Sequence, residues 1–85
     1  MIKNKLIKFG ATWCAPCKSA SKFLSKYNPD TYLEVDITEN GELAEKFGIK
    51  NIPTFVLVNI NGDEVNRFTG FNPKLIEESI SKIKS

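Results

Sequence analysis

Histidine is missing altogether from this 85-residue chain, and cysteine occurs only twice. Structural zinc takes about four Cys or His ligands, so a metal clasp here would have to recruit carboxylates or a second copy. A marked excess of one charge is also missing. Twelve Lys+Arg stand against ten Asp+Glu, a formal net charge of +2, and the two signs are interleaved, which leaves no electrostatic footprint for nucleic acid or an anionic lipid surface. No apolar run approaches the roughly 20 residues that span a bilayer, so nothing supports a membrane role. The start, Met1-Ile2-Lys3-Asn4-Lys5, has the basic character of a signal peptide, but Lys8 interrupts the apolar stretch that would have to follow. The chain is therefore expected to be unprocessed and cytoplasmic. Internal repeats, low-complexity tracts and linkers are absent as well.

What is present is ordinary for a folded protein: 41% hydrophobic and 26% charged residues. The length predicts one domain over residues 1–85, near the lower end of what a single core stabilises unaided. Leu6-Ile7-Lys8-Phe9, ended by Gly10, reads as a mostly buried strand. Over residues 16–27 the apolar Cys17, Ala20, Phe23, Leu24 and Tyr27 recur at helical spacing, with Lys18, Lys22 and Lys26 as a solvated opposite face. Pro16 suits the first turn of that helix and Asn28-Pro29-Asp30 stops it. Tyr32-Leu33-Glu34-Val35-Asp36-Ile37 is the second strand and completes a βαβ unit.

The second half changes pattern. Thr38 or Asn40 can cap a short helix bearing Leu43, Ala44 and Phe47 on one face, closed by Gly48. Pro53-Thr54-Phe55-Val56-Leu57-Val58 is β-rich, and Asn61-Gly62 signals a tight hairpin turn into a strand over Glu64–Thr69, closed by Gly70. Asn72-Pro73 opens a last helix with Leu75, Ile76, Ile80 and Ile83 inward. The order is βαβ, helix, ββα, an α/β chain.

Both cysteines lie in Thr12-Trp13-Cys14-Ala15-Pro16-Cys17-Lys18. A disulfide across three positions closes too short a loop to be an effective staple, and it would be reduced in a cytoplasm. A C-x-x-C that follows a strand and opens a helix favours a redox pair. The attacking species in thiol chemistry is the thiolate, whereas a free cysteine with pKa of about 8.5 is mostly protonated at neutral pH. At the first turn of a helix the unpaired N–H groups and the macrodipole favour the anion, which suits Cys14 for attack. Cys17, three positions on, faces the same side and can close the disulfide as the resolving cysteine.

With these motifs the chain resembles the thioredoxin family, in particular its smallest members, which dispense with an extra N-terminal strand and helix. Trp13-Cys14-Ala15-Pro16-Cys17-Lys18 is similar to the family's W-C-G-P-C-K site, with Ala15 replacing the glycine. Gly48-Ile49-Lys50-Asn51-Ile52-Pro53-Thr54 resembles the segment ending in I-P-T, and Asn61-Gly62-Asp63-Glu64 and Gly70 follow in family order. The resemblance implies a minimal thioredoxin fold, a four-stranded mixed sheet flanked by three helices. It also implies a cis bond before Pro53, although the residues alone favour a strand opening in trans. Trp13, Ile52, Pro53 and Gly70 would then form a groove beside Cys14, with Ala15 and Pro16 shaping the site, where an extended client segment pairs with free backbone.

Lys8 departs from the pattern. The family usually carries a buried aspartate six residues before the first cysteine, where it moves the proton of the second. A lysine there has three physical outcomes: it is neutral through desolvation, it pairs with a carboxylate such as Glu34, or it snorkels to water. As a cation it would favour the Cys17 thiolate, tune the redox pair and ease reduction of the disulfide.

The leading reading is a protein-disulfide reductase that works through a mixed disulfide at Cys14 and uses no bound cofactor, because the dithiol carries the electrons. By resemblance its electrons come from a flavin-dependent thioredoxin reductase, its clients include enzymes such as ribonucleotide reductase, and it acts as a monomer. A glutathione-dependent glutaredoxin is the nearest alternative, but Ala15-Pro16, Ile52-Pro53-Thr54 and the single Gly70-Phe71 depart from that family's motifs. A thiol oxidase or isomerase would work against a reducing compartment. In a different class, the fold alone would serve as a binding module for a larger enzyme.

Overall fold

The computed structural model describes residues 4–84, so the basic start at Met1, Ile2 and Lys3 lies outside the described residues. The elements are β1 (Lys5–Gly10), α1 (Ala15–Leu24), a 3-10 turn (Pro29–Thr31), β2 (Tyr32–Asp36), α2 (Gly41–Lys46), β3 (Thr54–Val58), β4 (Glu64–Thr69) and α3 (Pro73–Lys84). The strands form one sheet in the order β2-β1-β3-β4. The β1–β2 pair, bridged by α1, is parallel, and the other two pairs are antiparallel. This is the expected four-stranded mixed sheet with three helices.

Side chains alternate across a strand, so the central strands feed two cores. On one face Leu6, Phe55 and Leu57 meet Ala20 and Leu24 of α1 and Ile76, Ile80 and Ile83 of α3. On the other, Ile7, Phe9, Val35, Val56 and Val58 cover Ala44 of α2, with Leu43 and Phe47 packed at the margin. Phe9 and Phe55 are fully enclosed, each contributing on the order of 2–3 kcal/mol by leaving water. The outer strand β4 is exposed along its length except at Phe68, whose ring stacks on Phe55 at 4.9 Å between centroids.

Several details differ from the sequence expectation. The first helix ends at Leu24 rather than Tyr27, because the Ser25 hydroxyl donates to the Lys22 carbonyl at 2.6 Å and the chain turns there. Leu75, expected to face inward, is exposed, whereas Ile76 is buried. The residues between β3 and β4, 59–63, form a wider loop than a tight hairpin: the Asn59 side chain accepts from the N–H groups of Asn61 and Asp63 at 2.9 and 3.0 Å, and only Gly62 takes a positive φ. The β3–β4 register then slips between Leu57, opposite Asn66, and Val58, opposite Glu64, leaving Val65 as the extra residue of a bulge. Ahead of α2, Asn40 occupies the cap position but its side chain bonds back to the Asp36 carbonyl at 3.2 Å instead of capping.

Candidate functional site

At the end of β1 the chain leaves the sheet, and the Cys14 N–H donates to the Ala11 carbonyl at 3.2 Å, a turn that sets up the entry into α1. Cys14 is the capping residue itself. Its backbone is extended (φ −96°, ψ 111°) and its Sγ accepts the Cys17 N–H at 3.3 Å, the place normally filled by a Ser, Thr or Asp oxygen. Pro16 sits in the first turn, where its lack of an N–H removes no bond. The Cys14 sulfur thus receives both an unpaired helix N–H and the positive end of the helix dipole.

Cys17 lies one turn deeper and is bonded to Cys14, with the two Cα atoms 5.2 Å apart. Their exposures differ in order: Cys14 retains 7% and Cys17 1%. Ala11 joins the pair in a small apolar cluster against which Ile52 packs. Ala15 and Pro16 face solvent, and Trp13, at 69% exposure, stands out from the loop rather than entering the core. The Ile52–Pro53 bond is cis, as the resemblance implied and the residues alone did not. Pro53 is buried, and its carbonyl accepts the N–H of Gly70 at 2.8 Å. Gly70 holds φ +83° there, a conformation that a side chain would oppose.

Of the three outcomes open to Lys8, the ion pair is realised. Lys8 lies in register with Glu34 of β2 and Phe55 of β3. Its side chain is 6% exposed, and Nζ is 2.8 Å from Glu34 Oε1. The same ammonium donates to Ser21 Oγ, and the Ser21 hydroxyl donates to Glu34, so the three side chains close a ring of hydrogen bonds. Partial burial pushes the Glu34 carboxyl up, but hydrogen bonds from Lys8 and Ser21, together with the Lys8 charge, outweigh it and hold the group below its ordinary range.

Two residues of this site were missed in the sequence. Ser21 is four positions after Cys17, so both hang from one face of α1; a polar residue inside an apolar stripe was the available signal. Gly10 reads from the sequence only as a strand terminator. A Cβ there would come within 3.0 Å of Cys17 Sγ and 3.5 Å of Lys8 Cε, so the bare backbone lets helix and strand close around the Cys17 sulfur. These residues line a cleft of about 560 Å³ between α1 and β2, with Cys17 and Lys8 in its wall. Among the described residues no cluster of three or more His, Cys, Asp or Glu can hold a metal ion, and no helix is long and apolar enough to cross a membrane.

The thioredoxin family model matches residues 2–82. The chain belongs to the thioredoxin family. The SPbeta prophage-derived thioredoxin-like protein YosR of Bacillus subtilis is 35% identical over 80 residues, spanning 94% of this chain and 99% of that protein. Thioredoxin-1 of Schizosaccharomyces pombe is 34% identical over 82 residues, spanning 92% of this chain and 79% of the relative. Among solved structures, the thioredoxin of Malassezia sympodialis superposes with a TM-score of 0.85 at 30% identity, covering 98% of this chain and 76% of the other. Family membership and the bonded C-x-x-C pair make the protein a thiol-disulfide oxidoreductase with a redox-active centre. The family implies, in general terms, a reductase that supplies electrons and disulfide-bearing clients that receive them.

Proposed function

We propose that the protein reduces disulfides in other proteins, with Cys14 as the nucleophile and Cys17 as the resolving thiol. The observation that carries this reading is the Cys14 sulfur acting as the N-cap of α1, which favours its thiolate, while Cys17 is bonded to it from the more buried side. Attack by Cys14 breaks the client disulfide and forms a mixed disulfide. Cys17 then displaces the client, and two electrons have passed from the dithiol to the client.

Trp13, Ile52, Pro53 and Gly70, with Ala15 and Pro16 at the rim, make up the client groove of this reading, and Lys8 tunes the pair. Residues 1–85 act as one monomeric domain in cytoplasmic electron transport and redox homeostasis. A flavin-dependent thioredoxin reductase recharges the dithiol without any cofactor bound to this chain, and ribonucleotide reductase is one fitting client.

Insulin disulfide reduction tests the assignment. Both Cys14→Ser and Cys17→Ser should lose turnover, but only Cys17→Ser should accumulate a stable mixed disulfide with client. Trapping on Cys14→Ser instead would reverse the roles. Supplying electrons through thioredoxin reductase should sustain turnover, and efficient turnover with glutathione alone would move the protein to the glutaredoxin reading. A chain whose biological effect survives the loss of both cysteines would be a binding module.

A further inference from the structure

Resolving a mixed disulfide requires Cys17 to lose its proton, and the structure puts no carboxylate at the buried β1 position beneath it. Lys8 occupies that position. Lys8 Cε and Cys17 Sγ both lie close to the point that a Cβ on Gly10 would occupy, so their separation cannot exceed the sum of those two short distances. A lysine in such a place ordinarily extends its ammonium toward water. Here Ser21 and Glu34 fasten it: Ser21 from the same helix face as Cys17, and Glu34 from the adjacent parallel strand.

We infer that Lys8, fastened by Ser21 and Glu34, supports the resolving step by stabilising the Cys17 thiolate with its charge, in place of a base that removes the proton. The inference rests on Cys17 being the resolving thiol. Cys17 gives its proton to water in the cleft, and its thiolate attacks Cys14 Sγ. The Cys14–client bond breaks, the Cys14–Cys17 bond forms, and the client sulfur leaves as a thiolate that takes a proton from solvent. The client disulfide gains two electrons and the dithiol loses two. Lys8 changes no bond.

The pair does not cancel at Cys17, because its members stand in different surroundings. The ammonium is enclosed, whereas the Glu34 side chain on edge strand β2 is 43% exposed, and water screens the outer charge more than the inner one. The other charged groups that line the cleft are Lys18 of α1, exposed and next to Cys17, and Asp36 of β2. Asp36 is held by hydrogen bonds from the Thr38 hydroxyl and N–H at 2.6 and 2.8 Å. Glu34 therefore restrains the effect of Lys8 as well as positioning it, and Ser21 still holds the ammonium when the carboxylate is neutralised.

The two ends of one ion pair should then act on Cys17 with opposite sign. In the full chain carrying Cys14→Ser, the thiolate absorbance of the lone Cys17 is followed against pH, with circular dichroism as the check on folding. Lys8→Met should lower the thiolate population at neutral pH by roughly three- to tenfold, and Glu34→Gln should raise it. In the two-cysteine chain, release of an aromatic thiol from a preformed mixed disulfide at Cys14 should slow in Lys8→Met and quicken in Glu34→Gln. No movement in either variant, or movement of both in one direction, overturns the inference and leaves the ring of hydrogen bonds a structural tie. A failure of the role assignment shows up elsewhere, as client trapped on Cys14→Ser rather than Cys17→Ser, so the two failures are separable.

Discussion

Lys8–Glu34 and Arg67–Glu64 are ion pairs of nearly equal length, 2.8 and 2.6 Å, set at opposite sides of the same sheet. The second has the better geometry. Arg67 reaches Glu64 through both Nε and a terminal nitrogen, at 2.7 and 2.6 Å, and also donates to the Phe47 carbonyl at the end of α2. Yet both its side chains are 35% exposed, while Lys8 is 6% exposed. Contact distance therefore ranks the pairs one way and burial the other. Exposed pairs contribute little because water already solvates each partner, whereas a partner removed from an enclosed pair strands a charge. The inner pair lies enclosed beside Cys17, and the outer one ties a strand to the end of a helix.

Removing the acid from each pair should give the widest separation. Glu34→Ala leaves the enclosed Lys8 ammonium with Ser21 alone and should cost about 1–3 kcal/mol in urea unfolding, reduced from the fully buried case because Glu34 is half in water. Glu64→Ala should cost less than about 1 kcal/mol. Equal losses would break the comparison.

A smaller effect should separate the pairs in acid. The folded Glu34 carboxyl lies below its ordinary value of 4.5, so its contribution is complete above that pH and fades as pH falls through the lower folded value. Glu64 is also held low, chiefly by hydrogen bonds from Arg67, but that partner is itself 35% exposed whereas Lys8 is enclosed. Glu34→Gln should flatten the acid limb of a stability–pH curve more than Glu64→Gln does. An identical limb in both variants would contradict the difference in burial. The least change is expected for Arg67→Lys, which gives up the forked contact to Glu64 for a point charge: a few tenths of a kcal/mol by thermal unfolding.

How far the sequence speaks depends on the range over which each feature is decided. Asn72-Pro73 opens α3 as expected, with Asn72 Oδ1 accepting the Leu75 N–H at 3.2 Å, and Gly48 takes the positive φ that follows α2. The C-x-x-C position at the mouth of a helix was legible for the same reason, since a cap and its first turn involve neighbours only. The end of α1 and the β3–β4 loop were harder, because single side chains, Ser25 and Asn59, compete locally with the regular pattern. Hydrophobic periodicity gives such competitors no weight. Least legible was the surrounding of Cys17. Glu34 could be named as one partner for Lys8, but the choice among the three outcomes, and the roles of Ser21 and Gly10, depend on how β1 pairs with β2 and how α1 docks across both. No local rule contains that docking.

The bulge at Val65 bears on what happens when many copies are crowded together. A strand arriving from a neighbouring molecule would have to match the outer rim of β4, and the extra residue puts successive backbone partners out of step after a few rungs. Glu64 and Arg67 flank the irregular spot with opposite charges already engaged with each other. Growth of one sheet into the next is discouraged at that rim, where the bulge and the engaged charges of Glu64 and Arg67 offer an incoming strand no regular ladder to extend.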